Sequence, residues 1–298
     1  MNHPAPDKLQ PISFQWALAL AFVAWFVEVM LTIVLRPALV RYGLQPMAAA
    51  ALIRVLANGA VFSAMLHLSG MTYRKLFHDS PASVAATVGL LGVPILMLVP
   101  LIVMLDGVAM GLLEKVLPMS ASEADSLGSL ADGTLGTWVL VCIIAPLAEE
   151  MFFRGILLRG MLKRYAPADA MVYSAFVFGV AHLNVYQFVI AFAVGLMAAS
   201  LYLRTRSLWP GIVLHAGINT TIMVLAANGT GADGDSPLWA WGLAIAFGLV
   251  GTVALRRTLW APVPGRAGMA EAPAEAPAEA PADIRPDSDG DQPPPDAA

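Results

Sequence analysis

Six side chains in an otherwise apolar sequence have types and spacings that could do chemistry together: Glu149, Glu150, Arg154, His182, His215 and Asn219. The two carboxylates are adjacent, in the stretch Ala-Pro-Leu-Ala-Glu-Glu-Met-Phe-Phe-Arg-Gly that starts at Ala145. A buried carboxylate beside imidazoles can hold a water and take its proton as a general base. A histidine and an amide on one helix face can donate hydrogen bonds to a developing oxyanion. The same set, Glu149, His182, His215 and Asn219, also has donor types that could hold a divalent metal such as zinc, with a metal-bound water as nucleophile. The residues alone leave open whether no cofactor or a metal is used. Both schemes are hydrolysis inside a membrane cavity.

Helical spacing sorts these groups by face. His215 and Asn219 stand i, i+4, as do Phe178 and His182, and as do Glu150 and Arg154. Glu149 is rotated about 100° from Glu150. The expectation is that Glu150 and Arg154 neutralise each other as a structural pair, leaving Glu149 to face the histidines. Depth agrees. At about 1.5 Å per residue, Glu149 lies about 15 Å inside Arg159, His215 about 13 Å and Asn219 about 20 Å inside Arg206, and His182 about 20 Å inside Asp169. Other polar residues join the set less directly. Glu28 and Arg54 are read as an ion pair between the first two spans. Asn184 is placed to orient His182. Pro146 suggests a kink, and Gly155 and Gly160 suggest close helix approach. His67 and His78 are expected to be solvated.

The elements that must position these groups are membrane helices. Of the 298 residues, 58% are hydrophobic and 13% charged, far from the usual soluble balance. Eight stretches approach the length of a span, at about 12–35, 47–70, 84–106, 136–158, 169–183, 187–204, 207–227 and 238–255. The fifth and sixth read as a tight hairpin or as one longer bent element. The fold class is therefore all-α, a polytopic transmembrane helix bundle. The single cysteine, Cys142, excludes an intrachain disulfide and reads as a small packed hydrophobe. No basic run points to nucleic acid; the expected partners are the lipid bilayer and a membrane-associated protein or peptide substrate.

Lys and Arg in short loops set the orientation. Arg74, Lys75, Arg159, Lys163, Arg164, Arg204, Arg206, Arg256 and Arg257 fall on one side of an alternating chain. The other side holds Asp106, Glu114, Glu123, Asp125, Asp132, Asp233 and Asp235, with Lys115 its one base. Arg36 and Arg41 run against the pattern. Both termini are expected in the cytoplasm, with an N-terminal segment over 1–11 and a transmembrane domain over 12–260. Residues 261–298, rich in Pro, Ala and acids, read as a disordered tail.

Glu149-Glu150-x-x-x-Arg154, Phe178-x-x-x-His182 and His215-x-x-x-Asn219 occur in this order on successive polar-bearing spans. In this the sequence resembles the CAAX prenyl protease and bacteriocin-processing family of intramembrane endopeptidases, also called the abortive-infection family. The resemblance covers roughly 136–227. It implies a cavity open to the cytoplasmic side and cleavage of a peptide bond near the membrane. It implies that Glu149 activates water with His182, that His215 and Asn219 support the oxyanion, and that Glu150 and Arg154 are structural. The competing readings are a non-proteolytic immunity or scaffold protein, whose polar cluster binds an ion or a partner helix, and a transporter.

Overall fold

The computed structural model describes residues 8–121, 123–124, 128, 133–229 and 236–259. Residues 1–7, the tail 261–298, and Asp125, Asp132, Asp233 and Asp235 of the acidic loops lie outside the described residues. The described chain is helical, with one isolated bridge between His78 and Ser207. Its helices are α1 (Phe14–Arg41), α2 (Pro46–Ser69), the short α3 (Tyr73–Phe77), α4 (Val84–Val116), α5 (135–161), α6 (Pro167–Val180), α7 (Val185–Thr205), α8 (Trp209–Ala227) and α9 (Leu238–Leu259).

The helix starts follow local chemistry. Ser13, Thr72, Ser83, Thr134 and Asn184 each accept a first-turn backbone N–H on a side-chain oxygen. Pro46, Pro167 and Pro210 stand in the first turn of α2, α6 and α8, where the missing N–H is not needed. Beyond these caps the helices are apolar on nearly all sides, as lipid contact requires. Six of them, α1, α2, α4, α7, α8 and α9, are long and apolar enough to cross a membrane. The fourth predicted span is α5, and the fifth is the shorter apolar helix α6.

Several boundaries differ from expectation. α1 runs through Pro37 to Arg41, so Arg36 and Arg41 belong to a helix end rather than to a loop. α4 continues through Asp106, Glu114 and Lys115 to Val116, past two internal prolines, Pro94 and Pro100. The fifth and sixth spans form a hairpin, not one bent helix: α6 ends at Val180, Leu183 takes a positive φ of 52°, and Asn184 opens α7.

α5 changes pitch along its length. It is α-helical over Leu135–Val139, π-helical over Leu140–Ile144, α-helical over Ala145–Glu150, π-helical over Met151–Leu158 and α-helical over Arg159–Met161. A π-turn breaks the regular ladder of bonds and leaves carbonyls for other donors. Neighbouring helices supply them. Asn219 of α8 donates Nδ2–H to Val141 O at 2.8 Å, and Ser174 of α6 donates its hydroxyl to Phe153 O at 3.1 Å. All eight residues of Met151–Leu158 are buried. They form the centre of a core that includes Phe178, Tyr202, Leu208 and Ile212. A second cluster joins Leu91, Ile95, Val99 and Val103 of α4 to Val194, Leu214 and Ile218 of α7 and α8.

The basic ends are more tightly held than their sequence suggests. Arg159 is buried and donates to Tyr202 Oη at 2.8 Å and to Lys75 O at 3.2 Å. His78 is not a free loop histidine; its ring meets Ser207 Oγ at 2.9 Å and Ala82 O at 2.6 Å. These contacts tie the α2–α4 connection to the start of α8.

Small residues set the helix spacing. A Cβ on Gly251 would lie 2.6 Å from the backbone oxygen of Pro94, so α9 and α4 touch at main-chain distance. At Gly242, in the same helix, a Cβ would meet nothing within 4 Å. Gly251→Ala should lower the thermal unfolding midpoint in detergent, with an overpacking penalty of about 1–3 kcal/mol. Gly242→Ala should leave the midpoint unchanged or raise it slightly.

Candidate active site

Glu149 and Glu150 occupy the end of the short α-helical section of α5, between its two π-segments. Their environments diverge at once. Glu150 is fully buried, and its Oε1 lies 2.8 Å from Nη1 of Arg154, itself 1% exposed. The angle falls short of a good hydrogen bond, so the contact is a close ion pair. The guanidinium also lies over the Phe178 ring, 4.5 Å from its centroid. Glu150 reaches α8 as well: a Cβ at Gly211 would sit 2.5 Å from its Oε2. Only glycine lets this carboxylate lie against that helix, and sequence reading did not single Gly211 out.

Glu149 is less enclosed, with 21% of its side chain exposed. Its Oε1 accepts from Arg54 Nη1 of α2 at 3.4 Å. Its Oε2 is buried, has no hydrogen-bond partner in the protein, and lies 3.8 Å from His215 Nε2. His215 is buried on α8, one turn beyond Gly211, and its other nitrogen, Nδ1, lies 3.6 Å from Glu150 Oε1. Each imidazole nitrogen therefore faces a different carboxylate.

Phe178 joins the histidines. Its ring centroid is 5.0 Å from that of His182 and 5.7 Å from that of His215, both edge-on. It also packs against Phe153 at 4.8 Å. His182 lies at the end of α6 with Nδ1 2.9 Å from Phe178 O. A carbonyl only accepts, so Nδ1 carries the hydrogen and Nε2 is the free ring nitrogen. Among the described residues His182 makes no ion pair with a carboxylate; it reaches the cluster through the Phe178 ring. Asn184 does not orient it, because its Oδ1 accepts from Tyr186 N and Gln187 N as the α7 cap. Asn219 spends one amide hydrogen on Val141 O, which leaves its second N–H and its Oδ1.

Arg54 forms the expected pair with Glu28 and also a contact to Glu149 that sequence reading did not give it. Its Nε donates to Glu28 Oε1 at 2.9 Å, the expected partner, while Nη1 reaches Glu149. The signal in the sequence was a charged residue inside a span. The second carboxylate was out of reach because helix-to-helix contact is not written in local spacing.

The donor types suit zinc, but their placement does not. Among the described residues no three His, Cys, Asp or Glu side chains gather closely enough to hold a metal ion. Two guanidinium groups already stand against the two glutamates, Arg54 at Glu149 Oε1 and Arg154 at Glu150 Oε1.

The described helices form an all-α polytopic bundle with a carboxylate–histidine cluster set among them. Residues 131–221 match the family described as type II CAAX prenyl endopeptidase Rce1-like. The chain is also 28% identical over 87 residues to "Putative membrane peptidase YdiL" of Bacillus subtilis (strain 168), a stretch covering 29% of this chain and 36% of that protein. No solved structure matches. The two matches support membership of the CAAX prenyl protease and bacteriocin-processing family, with the matched segment containing all the motif residues.

The Glu150–Arg154 pair gives a direct test of the structural role. Arg154→Met strands a buried carboxylate and should destabilise the fold by about 3–5 kcal/mol. Adding Glu150→Gln should recover much of that loss. The thermal midpoints of both variants in detergent measure it.

Proposed function

We propose that this chain is an intramembrane endopeptidase that hydrolyses a peptide bond in a membrane-associated protein or peptide. The observation that carries the reading is the divided state of Glu149. One oxygen is engaged by a guanidinium, and the other is unpartnered within the protein and faces an imidazole. That is what a general base needs: a carboxylate held in place, with one lone pair free for a proton.

In this scheme a water enters with the substrate and lies against Glu149 Oε2, which is buried in the protein alone. Its oxygen attacks the scissile carbonyl carbon, and its proton passes to Glu149. His182 Nε2, the free nitrogen of its ring, accepts from the same water and aligns it. The carbonyl oxygen becomes an oxyanion, supported by His215 and by the second amide hydrogen of Asn219. The C–N bond then breaks, and the proton held by Glu149 goes to the leaving amine. Glu150 and Arg154 touch no substrate; they hold α5 against α8 and fix the facing direction of Glu149.

The matched family's description makes a prenylated C-terminal peptide one substrate class for this site; a leader peptide cut at the membrane is another. The basic ends, including Arg74, Lys75, Lys163 and Arg164, are assigned to the cytoplasmic side, with both termini there and the cavity open to it. Peptides reach the cluster from that face.

The test is hydrolysis by the full chain in detergent, against a quenched-fluorescent peptide library that includes prenylated C-terminal sequences. Glu149→Gln should lower the rate by about 10²–10⁴-fold, the share a general base contributes, with the thermal midpoint retained. His182→Ala should act in the same direction. Equal rates for wild type and Glu149→Gln would remove Glu149 as the base and favour a scaffold whose cluster tolerates an amide.

A further inference from the structure

The two charged residues of the first two helices, Glu28 and Arg54, lie outside the matched segment 131–221 and outside the three motifs. They nevertheless end on Glu149. Arg54 presents its planar fork to two carboxylates on two different helices: Nε to Glu28 of α1 at 2.9 Å, and Nη1 to Glu149 of α5 at 3.4 Å. The shorter contact anchors the guanidinium, and the longer one restrains the base. Asn58, one turn along α2, donates Nδ2–H to Arg54 O at 2.9 Å and steadies the backbone below.

A lone Glu28–Arg54 pair would need no third member, since it is already neutral. Including Glu149 makes the group two carboxylates to one guanidinium. The second pair, Glu150 and Arg154, is balanced within itself. One negative charge is then left over across the whole cluster, and the free oxygen of Glu149 is where it is not met by a guanidinium. We infer that Arg54, anchored by Glu28, is the positioning residue for the reaction: it holds Glu149 Oε1 so that Oε2 is the oxygen turned towards His215 and the water. The inference rests on the proposed role of Glu149 as base. Arg54 acts through Glu149 and is not assigned a contact with substrate. A lysine could not replace it, because a single ammonium offers no fixed fork to span two carboxylates.

This predicts a particular pattern of kinetics. The full-length protein in detergent is assayed with one quenched-fluorescent peptide selected by wild-type cleavage, and kcat and KM are measured separately. Arg54→Gln should lower kcat by about 10–100-fold, the scale of a misplaced catalytic group, with KM within about twofold of wild type. Arg54→Lys should recover only part of the loss. Glu28→Gln should lower kcat when Arg54 is present and add nothing when it is already Gln, because its effect passes through the guanidinium. An unchanged kcat with a raised KM would make Arg54 a substrate contact and overturn the inference. Additive losses from Glu28 and Arg54 would overturn the relay.

Glu149→Gln in the same assay separates the two levels of argument. If it is inactive while Arg54→Gln keeps the wild-type kcat, the positioning role fails alone; if it is fully active, the hydrolytic reading fails and the inference with it. A readout independent of turnover covers a variant that folds poorly or a peptide that is cut slowly. The infrared carboxylate band of Glu149 is isolated as the difference between wild type and Glu149→Gln, and the same difference is taken in the Arg54→Lys background. The band should shift; an unmoved band shows that Arg54 does not hold this carboxylate.

Discussion

Charge compensation inside an apolar bundle is the constraint on which the rest of this structure depends. Each ionised side chain near the middle of a membrane costs about 2.5–3.5 kcal/mol on insertion scales. Five such groups, Glu28, Arg54, Glu149, Glu150 and Arg154, converge from three helices. Their arrangement is not one undifferentiated network. Glu150 and Arg154 form a closed pair at 2.8 Å, both almost fully buried. Glu28, Arg54 and Glu149 form an open chain, each partly exposed. The closed pair fixes geometry, and the open chain leaves Glu149 Oε2 without a guanidinium partner. Adjacent glutamates thus come to have different work because the helix turns them towards different cations.

The pitch of α5 changes on either side of the two glutamates. Bringing Glu149 towards α2 and Glu150 towards α8 means that one helix must address two neighbours over a few residues. The two glutamates diverge as adjacent α-helical residues do, by about 100°, and the π-segments on either side come at the expense of regular backbone bonds. In lipid an orphaned carbonyl is a serious penalty. Asn219 and Ser174 meet it at Val141 and Phe153, from helices that the site needs close by. Glycine completes the approach, since any side chain at Gly211 would displace the Glu150 carboxylate. The helix that supplies His215 is therefore held at its distance by the site itself.

The sequence shows the bundle and the site to different depths. Apolar stretches with caps and first-turn prolines make the helices legible, because lipid leaves the backbone almost no alternative. Their ends are less so: α1 and α4 extend past the predicted limits because Arg36 or Asp106 can continue a helix as readily as a loop. Glu150 and Arg154 are legible as a pair, since i, i+4 spacing is local. Phe178 and His182 are legible as neighbours for the same reason. What local spacing does not contain is contact across helices. The reach of Arg54 to Glu149, the pressure of Glu150 on Gly211 and the capture of Asn184 by its own cap all depend on how the helices pack. His78 misleads in the opposite direction, a loop histidine by position that packing turns into a tie to Ser207.

The position of Arg54 also changes what counts as the site. The motif residues lie within 131–221, and by themselves they describe a cluster on α5, α6 and α8. That cluster leaves Glu149 without a guanidinium contact. With Arg154 paired to Glu150, neither oxygen of Glu149 would meet a guanidinium; Glu28 and Arg54 leave the net charge at one negative and supply that contact. The guanidinium that restrains one oxygen comes from α2, and the carboxylate that anchors the guanidinium comes from α1. Packing between α1 and α2 therefore bears on the orientation of a group on α5. In the proposed reaction, a change in the first two helices can alter turnover without touching a motif residue, and the N-terminal pair of helices is part of the catalytic framework rather than a membrane anchor beside it.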